Sequence, residues 1–178
     1  MTISLAIDTS TSRTSVGIIE DGSLIWSGYQ DGATAHGPAL PALVQEAIAG
    51  HSVDEVVVGM GPGPFTGLRI GIAFARSFAL ALGIPVRGVC SLDAIAAQVD
   101  EKDFIVTVDA RRKEVYWARY IEGRRSGEPA VNFPSDVKGA SIHTGLFPDL
   151  VALVQLNNKI SEPIYLRHPD AVATADRV

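Results

Sequence analysis

The sequence predicts an α/β protein in which mixed β-sheets carry helices on their faces. Three observations support this class. Apolar strand patterns joined by short polar turns come first, and helix and strand patterns then alternate, in the order βββαβαβα. Hairpins pair strands antiparallel and crossover helices pair them parallel, so this order is typical of a mixed sheet. A strand ending in aspartate, a polar turn and a second strand also open both halves of the chain.

The elements of the first half follow from apolar periodicity and turn residues. Glu20-Asp21-Gly22 marks a hairpin between two strand patterns. A helix is predicted where Leu40 and Val44 recur on one face. The predicted strands are 3–8, 14–19, 24–29, 55–59 and 86–89, and the predicted helices are 38–49, 68–82 and 91–99.

Charged residues at 100–103 predict a boundary between two subdomains, residues 1–100 and 101–178. The strand–aspartate–turn–strand pattern restarts after this boundary, which indicates that the two subdomains are related and that the second is reduced. The second half is predicted to contain strands 104–108, 115–121 and 142–146, a helix at 148–155 and a mobile tail from Pro169.

Composition excludes some classes of function. The net charge of −5 argues against a broad basic surface that binds nucleic acid unaided. Arg111-Arg112-Lys113 and Arg124-Arg125 are interpreted as solvated turns. Cys90 is the single cysteine, so no intrachain disulfide forms, and its apolar context predicts inert packing. The first residues lack a basic leader, and we expect a soluble, cytoplasmic protein.

The turn from Gly61 to Gly71 is the most distinctive segment. It connects a strand to a helix, as phosphate-binding turns do, but Pro62 and Pro64 have no N–H to donate. No lysine follows the glycines as a P-loop requires. The segment is therefore predicted to be a structural turn, with Thr66 as helix cap and glycines for close backbone approach. Its structural residues are Gly61, Gly63, Phe65, Thr66 and Gly67.

A hydroxyl-rich turn follows the first strand. Asp8, Thr9, Ser10 and Thr11 are the candidate residues for a cofactor contact, in which the hydroxyls meet phosphate and the acid holds a metal through water. The alternative is that Asp8 caps the turn by accepting hydrogen bonds from nearby backbone amides. Both interpretations remain open at the level of the sequence.

The sequence lacks the residue patterns of two other kinds of catalytic site, a histidine metal site and a hydrolase nucleophile. His36, His51, His143 and His168 form no pair at i,i+3 or i,i+4, so a helical histidine metal site is unsupported. The sequence has no Gly-x-Ser-x-Gly elbow for a hydrolase nucleophile. We therefore predict no catalytic and no metal-binding residue in this chain.

The helix at 68–82 is apolar on nearly all sides. Its broad face, formed by Leu68, Gly71, Ile72, Ala75, Phe78, Ala79 and Leu82, is predicted to dock on the sheet. The remaining sides are too apolar for water, so either a partner covers them or the helix is fully enclosed. The predicted partner interface joins them to the flat outer face of helix 38–49 and comprises Ala42, Gln45, Glu46, Arg69, Ile70, Ala73, Phe74, Ser77 and Ala81.

Several segments together resemble the bacterial TsaB (YeaZ) family. They are the 5–11 stretch LAIDTST, the Gly61–Gly71 turn, the 79–85 stretch ALALGIP, the 108–116 stretch VDARRKEVY and the 163–167 stretch PIYLR. The resemblance runs from about residue 3 to 170, whereas residues 121–162 match poorly and nothing is carried across them.

The resemblance implies an actin/hexokinase/Hsp70-like (ASKHA) fold of two related subdomains. It further implies a non-catalytic subunit that binds the paralogous TsaD-type subunit, which transfers threonylcarbamoyl to tRNA adenosine next to the anticodon. A TsaE-like ATPase joins the pair, and ATP or ADP and metal belong to the partner subunits. Helices of the first subdomain would form the contact, also used for self-association, and tRNA would be met only within the complex.

Two other classes remain as alternatives. A stand-alone ATPase or phosphotransferase of this fold needs a second phosphate turn and an adenosine-binding segment, for which the short second half leaves little room. A metallopeptidase-like protein needs metal ligands that the histidine spacing does not supply.

Overall fold

The first half of the chain forms a five-stranded mixed sheet. The computed structural model describes residues 1–139 and 141–167. The strand order is β3-β2-β1-β4-β5, antiparallel between β1, β2 and β3 and parallel between β1, β4 and β5. The mixed sheet predicted from the sequence is confirmed. Its strands are β1 (Ile3–Asp8), β2 (Arg13–Glu20), β3 (Ser23–Asp31), β4 (Glu55–Gly59) and β5 (Val86–Val89).

Helices cover both faces of this sheet. Leu5 and Ile7 of β1 belong to a core with Leu40 of α1 (His36–Ala47) and Leu68 of α2 (Phe65–Leu82). Ala6 lies between them in sequence and packs on the opposite face, because successive side chains of a strand alternate. That face is covered by α4 (Leu150–Gln155), whose Leu153 is fully buried, and by Ala94 of α3 (Ser91–Ala96).

A second sheet follows in the order β10-β6-β7-β8, and β9 also pairs with β7. Its core joins Phe104 and Tyr120, whose rings stack with centroids 5.4 Å apart, to Leu92 and Ile95 of α3. β6 and β7 are antiparallel, as β1 and β2 are. The strands are β6 (Asp103–Asp109), β7 (Val115–Ile121), β8 (Arg124–Arg125), β9 (Ala130–Asn132) and β10 (Ser141–His143).

Several predicted boundaries are corrected by the structure. α2 begins at Phe65, three residues before the predicted start, because the first turn follows Pro64 directly. α3 ends at Ala96, not residue 99, and α4 begins at Leu150, not residue 148. β10 spans only three residues, and Gly145 has a φ of +73° shortly after it. β8, β9 and a short 3₁₀ helix, Pro134–Asp136, were not predicted.

α2 is long and apolar enough, by length and composition alone, to be a candidate membrane span. Its buried residues pack in the core of the first sheet. The predicted subdomain boundary at residue 100 lies between α3 and β6 and stays a prediction. The predicted mobile tail from Pro169 lies outside the described residues.

Candidate functional site

The turn after β1 holds the Asp8 carboxylate inside the protein. Asp8 is 1% exposed. Its Oδ1 accepts hydrogen bonds from the Ser10 amide at 2.9 Å and the Ser10 hydroxyl at 2.7 Å. Its Oδ2 accepts from the Ser91 hydroxyl at the start of α3, at 2.7 Å. This is the arrangement expected if Asp8 caps its own turn.

Burial raises the pKa of Asp8, because a charged carboxylate is poorly solvated in the interior, while the hydrogen bonds from Ser91 and Ser10 oppose the shift. The neighbouring hydroxyls are also engaged. Thr9 donates to the Gly67 carbonyl at 2.8 Å, and Thr11 accepts from the Arg13 amide at 3.1 Å. The donors and acceptors of this turn are thus directed at the chain itself, and a nucleotide contact here stays a prediction.

The glycine-rich turn packs its backbone against that turn. A Cβ atom on Gly63 would overlap the carbonyl oxygen of Ser10, and one on Gly67 would lie 2.7 Å from the carbonyl oxygen of Thr9. Gly61 has a φ of +91°, a conformation that favours glycine. The predicted close approach is therefore present. The prediction that Thr66 caps the helix is wrong, because Pro64 is the N-cap residue and the helix start has no side-chain cap hydrogen bond.

Phe65 is fixed at the start of α2 by contacts on two sides. Its ring centroid lies 5.0 Å from that of Tyr165, and the Arg69 guanidinium lies 5.1 Å from the same centroid. Ile164 donates its amide to the Met60 carbonyl at 2.8 Å. The segment near the end of the described chain therefore packs against the glycine turn.

A cavity of about 270 Å³ lies beside the first turn of α2. Arginine side chains from three positions line it, together with the buried His36, whose Nδ1 is 2.8 Å from the Thr14 hydroxyl. Burial, and then the charge of Arg111, lower the pKa of His36. The cationic lining suits an anionic ligand. The interpretation of Arg111-Arg112-Lys113 as a solvated turn did not predict that two of these arginines line a cavity. The arginines are Arg111, Arg112 and Arg167, the last paired with Glu114.

The outer side of α2 is open to solvent. Small side chains occupy its exposed positions Ala73, Ser77 and Ala81, beside the exposed Arg69. Ile70 and Phe74 are half-buried at the margin. On the neighbouring α1, Ala42, Gln45 and Glu46 are also exposed. The orientation predicted for α2 therefore agrees with the structure, whereas the contact with a partner stays a prediction.

Three details of the α2 prediction are corrected. Leu82 was assigned to the buried face but is 53% exposed near the helix end. Leu80 is 83% exposed, beside Ala73 and Ser77, and was not included in the predicted interface. Phe74 packs partly against the core and stacks on Phe78 at 5.8 Å, so it also belongs to the fold of the monomer.

A buried polar cluster between α3 and the second sheet was missed. Asp93 of α3 is 6% exposed and accepts a hydrogen bond from the Tyr120 hydroxyl at 2.7 Å. The Arg125 guanidinium lies 2.9 Å from Asp93 Oδ1. Arg125 therefore links β8 to α3 through an ion pair. The prediction of a solvated turn at Arg124-Arg125 is wrong for Arg125. The one sequence feature that could have indicated this cluster is Asp93 itself, an acidic residue in a short apolar helix.

Cys90 is fully buried, and desolvation raises the pKa of its thiol to about 12, so the thiol is unreactive as predicted. Within residues 1–139 and 141–167, no three histidine, cysteine, aspartate or glutamate side chains are grouped so that they could hold a metal ion. The prediction that this chain has no metal-binding residue stays a prediction.

Comparison with known proteins finds relatives that are named for tRNA threonylcarbamoyladenosine biosynthesis. A family model described as "TsaD: tRNA N6-adenosine threonylcarbamoyltransferase" matches residues 32–145. An uncharacterized protein of Mycobacterium tuberculosis is 44% identical over 196 residues, which cover 94% of this chain and 92% of that protein. The Escherichia coli tRNA threonylcarbamoyladenosine biosynthesis protein TsaB is 35% identical over 125 residues, which cover 65% of this chain and 54% of that protein.

Solved structures agree with these matches. YeaZ from Pseudomonas aeruginosa superposes with a TM-score of 0.78 at 27% identity, covering 93% of this chain and 100% of that chain. The ethanolamine utilization protein EutJ from Carboxydothermus hydrogenoformans shares the fold alone, with a TM-score of 0.51 at 12% identity, over 74% of this chain and 52% of that one. The expected α/β fold of the ASKHA class is confirmed.

Proposed function

Because this chain belongs to the TsaB (YeaZ) family, we propose that it is an accessory subunit in tRNA threonylcarbamoyladenosine biosynthesis. It binds a TsaD-type catalytic subunit, has no activity of its own, and acts in the cytoplasm. A TsaE-like ATPase joins the complex, ATP or ADP and metal are held by the partner subunits, and tRNA is met within the complex.

The observation that carries this proposal is the outer side of α2. Ala73, Ser77 and Ala81 lie on a helix of 18 residues and leave a shallow surface with Leu80 projecting from it. Small residues let a partner's helix approach closely, and an exposed leucine supplies apolar area to bury. The same surface would serve for self-association of the free protein.

A charge placed on this surface tests the proposal. Ala81→Arg should weaken association with the TsaD-type subunit of the same cell by on the order of 2–5 kcal/mol, because an unpaired charge would be buried at the contact. Ala81 is exposed and arginine is a good helix former, so the monomer should keep its thermal stability. Sedimentation of the mixed proteins measures association, and thermal melting measures the fold.

The matched control is Ala97→Arg, which places the same charge at an exposed alanine after α3. It should leave association unchanged. Normal binding by Ala81→Arg, or equal loss in both variants, would show that this side of α2 is not the interface. Phe74→Asp is a poorer probe than the sequence suggests, since it would also disturb the Phe74–Phe78 stack.

The non-catalytic role is supported by the buried, hydrogen-bonded state of Asp8 and by the prolines in the glycine turn. The isolated protein should neither hydrolyse ATP nor transfer threonylcarbamoyl to tRNA. In the assembled complex, Asp8→Asn should reduce the rate of tRNA modification by less than about tenfold. This corresponds to an increase of less than about 1.4 kcal/mol in the activation free energy. Turnover by the isolated protein that is lost in Asp8→Ala would contradict the non-catalytic role. So would a several-hundredfold loss of tRNA modification in a complex that contains Asp8→Asn and is fully assembled.

A further inference from the structure

A second cavity, of about 380 Å³, lies between the turn after β1 and the second sheet. Its walls come from both halves of the chain: Thr11 and Ser12 on one side, the ends of β6 and β7 and the segment after β10 on the other. A cavity of this size is in the range that holds small organic ligands.

The cavity is lined mainly by apolar side chains. Ile142 of β10 forms part of this lining and is partly exposed, as expected for a wall that faces an open cavity. The polar groups in the lining are hydroxyls and one carboxylate. The apolar lining consists of Val108, Val115, Pro134, Val137, Ile142, Leu146 and Phe147.

Charge decides which ligands suit this cavity. Among the lining residues that the structure describes, Asp109 is the one charged group, and arginine, lysine and histidine are absent. Asp109 is exposed, and its Oδ1 accepts the Arg111 amide at 3.0 Å. No ion pair in the described part of the chain includes Asp109. The Arg13 guanidinium lies 3.9 Å from the centroid of the Phe147 ring but is paired with Asp31. A phosphate or carboxylate would therefore meet the negative charge of Asp109, whereas an ammonium group would be attracted to it.

We propose that this cavity is a binding site for a small amphiphilic amine, in which an apolar ring packs against Ile142 and Phe147 and the ammonium group pairs with Asp109. The hydroxyls of Ser12 and Thr144 supply acceptors for the two remaining ammonium protons. The site is distinct from the arginine-lined cavity beside α2, which has the opposite charge. It is also distinct from the proposed partner interface.

The test uses 2-phenylethylamine as probe and phenylacetate as its matched control, because the two share a phenyl ring and differ in the sign of the charge. Titration of the isotope-labelled full chain, followed by NMR, should give saturable shifts at the amides of the lining residues for the amine. Phenylacetate should bind at least about tenfold more weakly. Absence of saturable binding by the amine, or equal binding of the two probes, overturns the proposal, and so does ATP displacing the amine from these residues.

Variants locate the site. Ile142→Trp should fill the cavity and abolish the shifts, whereas Ile121→Trp, at a partly exposed isoleucine of the same sheet outside the lining, should not. Asp109→Asn should weaken amine binding at least about tenfold and leave phenylacetate unchanged or bound more tightly. If Ile142→Trp fails to fold in thermal melting, Asp109→Asn carries the decision. Unchanged amine binding in a folded Ile142→Trp or in Asp109→Asn contradicts the assignment.

Discussion

The Asp8 carboxylate is withdrawn from solvent by the close packing of three segments around it. A Cβ atom on Gly59 would overlap Asp8 Oδ2, so β4 passes directly against the carboxyl group. Ser91 donates to the same oxygen from a position 83 residues later in the chain. The strand-end aspartate and its hydroxyl turn were visible in the sequence. The distant donor was not, because no local pattern reports a contact over that separation.

The raised pKa of Asp8 predicts a pH-dependent difference between the parent protein and Asp8→Asn. The ordinary pKa of 3.8 applies to the unfolded chain, and burial places the folded pKa above it. The folded protein therefore binds the proton more tightly, so this stabilising contribution is complete below pH 3.8 and is lost as pH rises through the folded pKa. Asparagine does not titrate. Relative to the parent, Asp8→Asn should gain unfolding free energy as the pH rises.

Urea unfolding of both proteins at a series of pH values measures this difference. A difference that stays constant with pH would mean that the three hydrogen bonds balance burial, and one that changes in favour of the parent as pH rises would mean that they outweigh it. In either case the pKa of Asp8 is not raised.

At the scale of elements, α2 is held against the β1–β2 turn by glycines. The helix pattern and the turn were predicted from the sequence, since apolar periodicity and glycine content are local signals. The predicted start of α2 was too late because threonine is a residue type typical of helix N-caps, and Thr66 was taken as the cap. The N-cap residue is Pro64, so the helix begins at Phe65. The glycine turn thus determines how near the helix lies to the sheet.

Gly63→Ala should lower the free energy of unfolding by about 1–3 kcal/mol, because the added methyl overlaps the Ser10 carbonyl, a backbone group that cannot rotate aside. The control is Gly37→Ala in α1, where a Cβ meets nothing within 4 Å. That control should gain up to about 1 kcal/mol from helix propensity. Urea denaturation measures both. Equal effects of the two substitutions would refute the close-approach explanation.

Two arginines of the second sheet pair with aspartates of different burial and allow a matched comparison. Arg125→Ala leaves Asp93 buried without its cation and should cost about 3 kcal/mol of unfolding free energy. Arg119→Ala breaks the pair with Asp103, whose side chain is 44% exposed, and should cost far less unfolding free energy, because solvent screens this pair. Denaturant titration gives both values. A cost for Arg119→Ala as large as that for Arg125→Ala would contradict the dependence on burial.

At the scale of the whole molecule, the order of elements in the first half was predictable, because each strand and helix there is long enough to show its own period. β8 and β9 were missed since two or three residues cannot display alternation. The docking of α4 on the first sheet was also missed. Its six residues predict a helix but not which of two sheets they cover.

The return of α4 to the first sheet has a consequence for synthesis on the ribosome. Residues 1–100 emerge first, yet Ala6, Ile19 and Val57 lie on a face that Leu153 and its neighbours complete. Until the last part of the chain has been translated, that face stays accessible to water and to other nascent chains. The first sheet therefore acquires its final packing only after α4 has been synthesised, and ribosome-bound chains that stop before α4 should need chaperones.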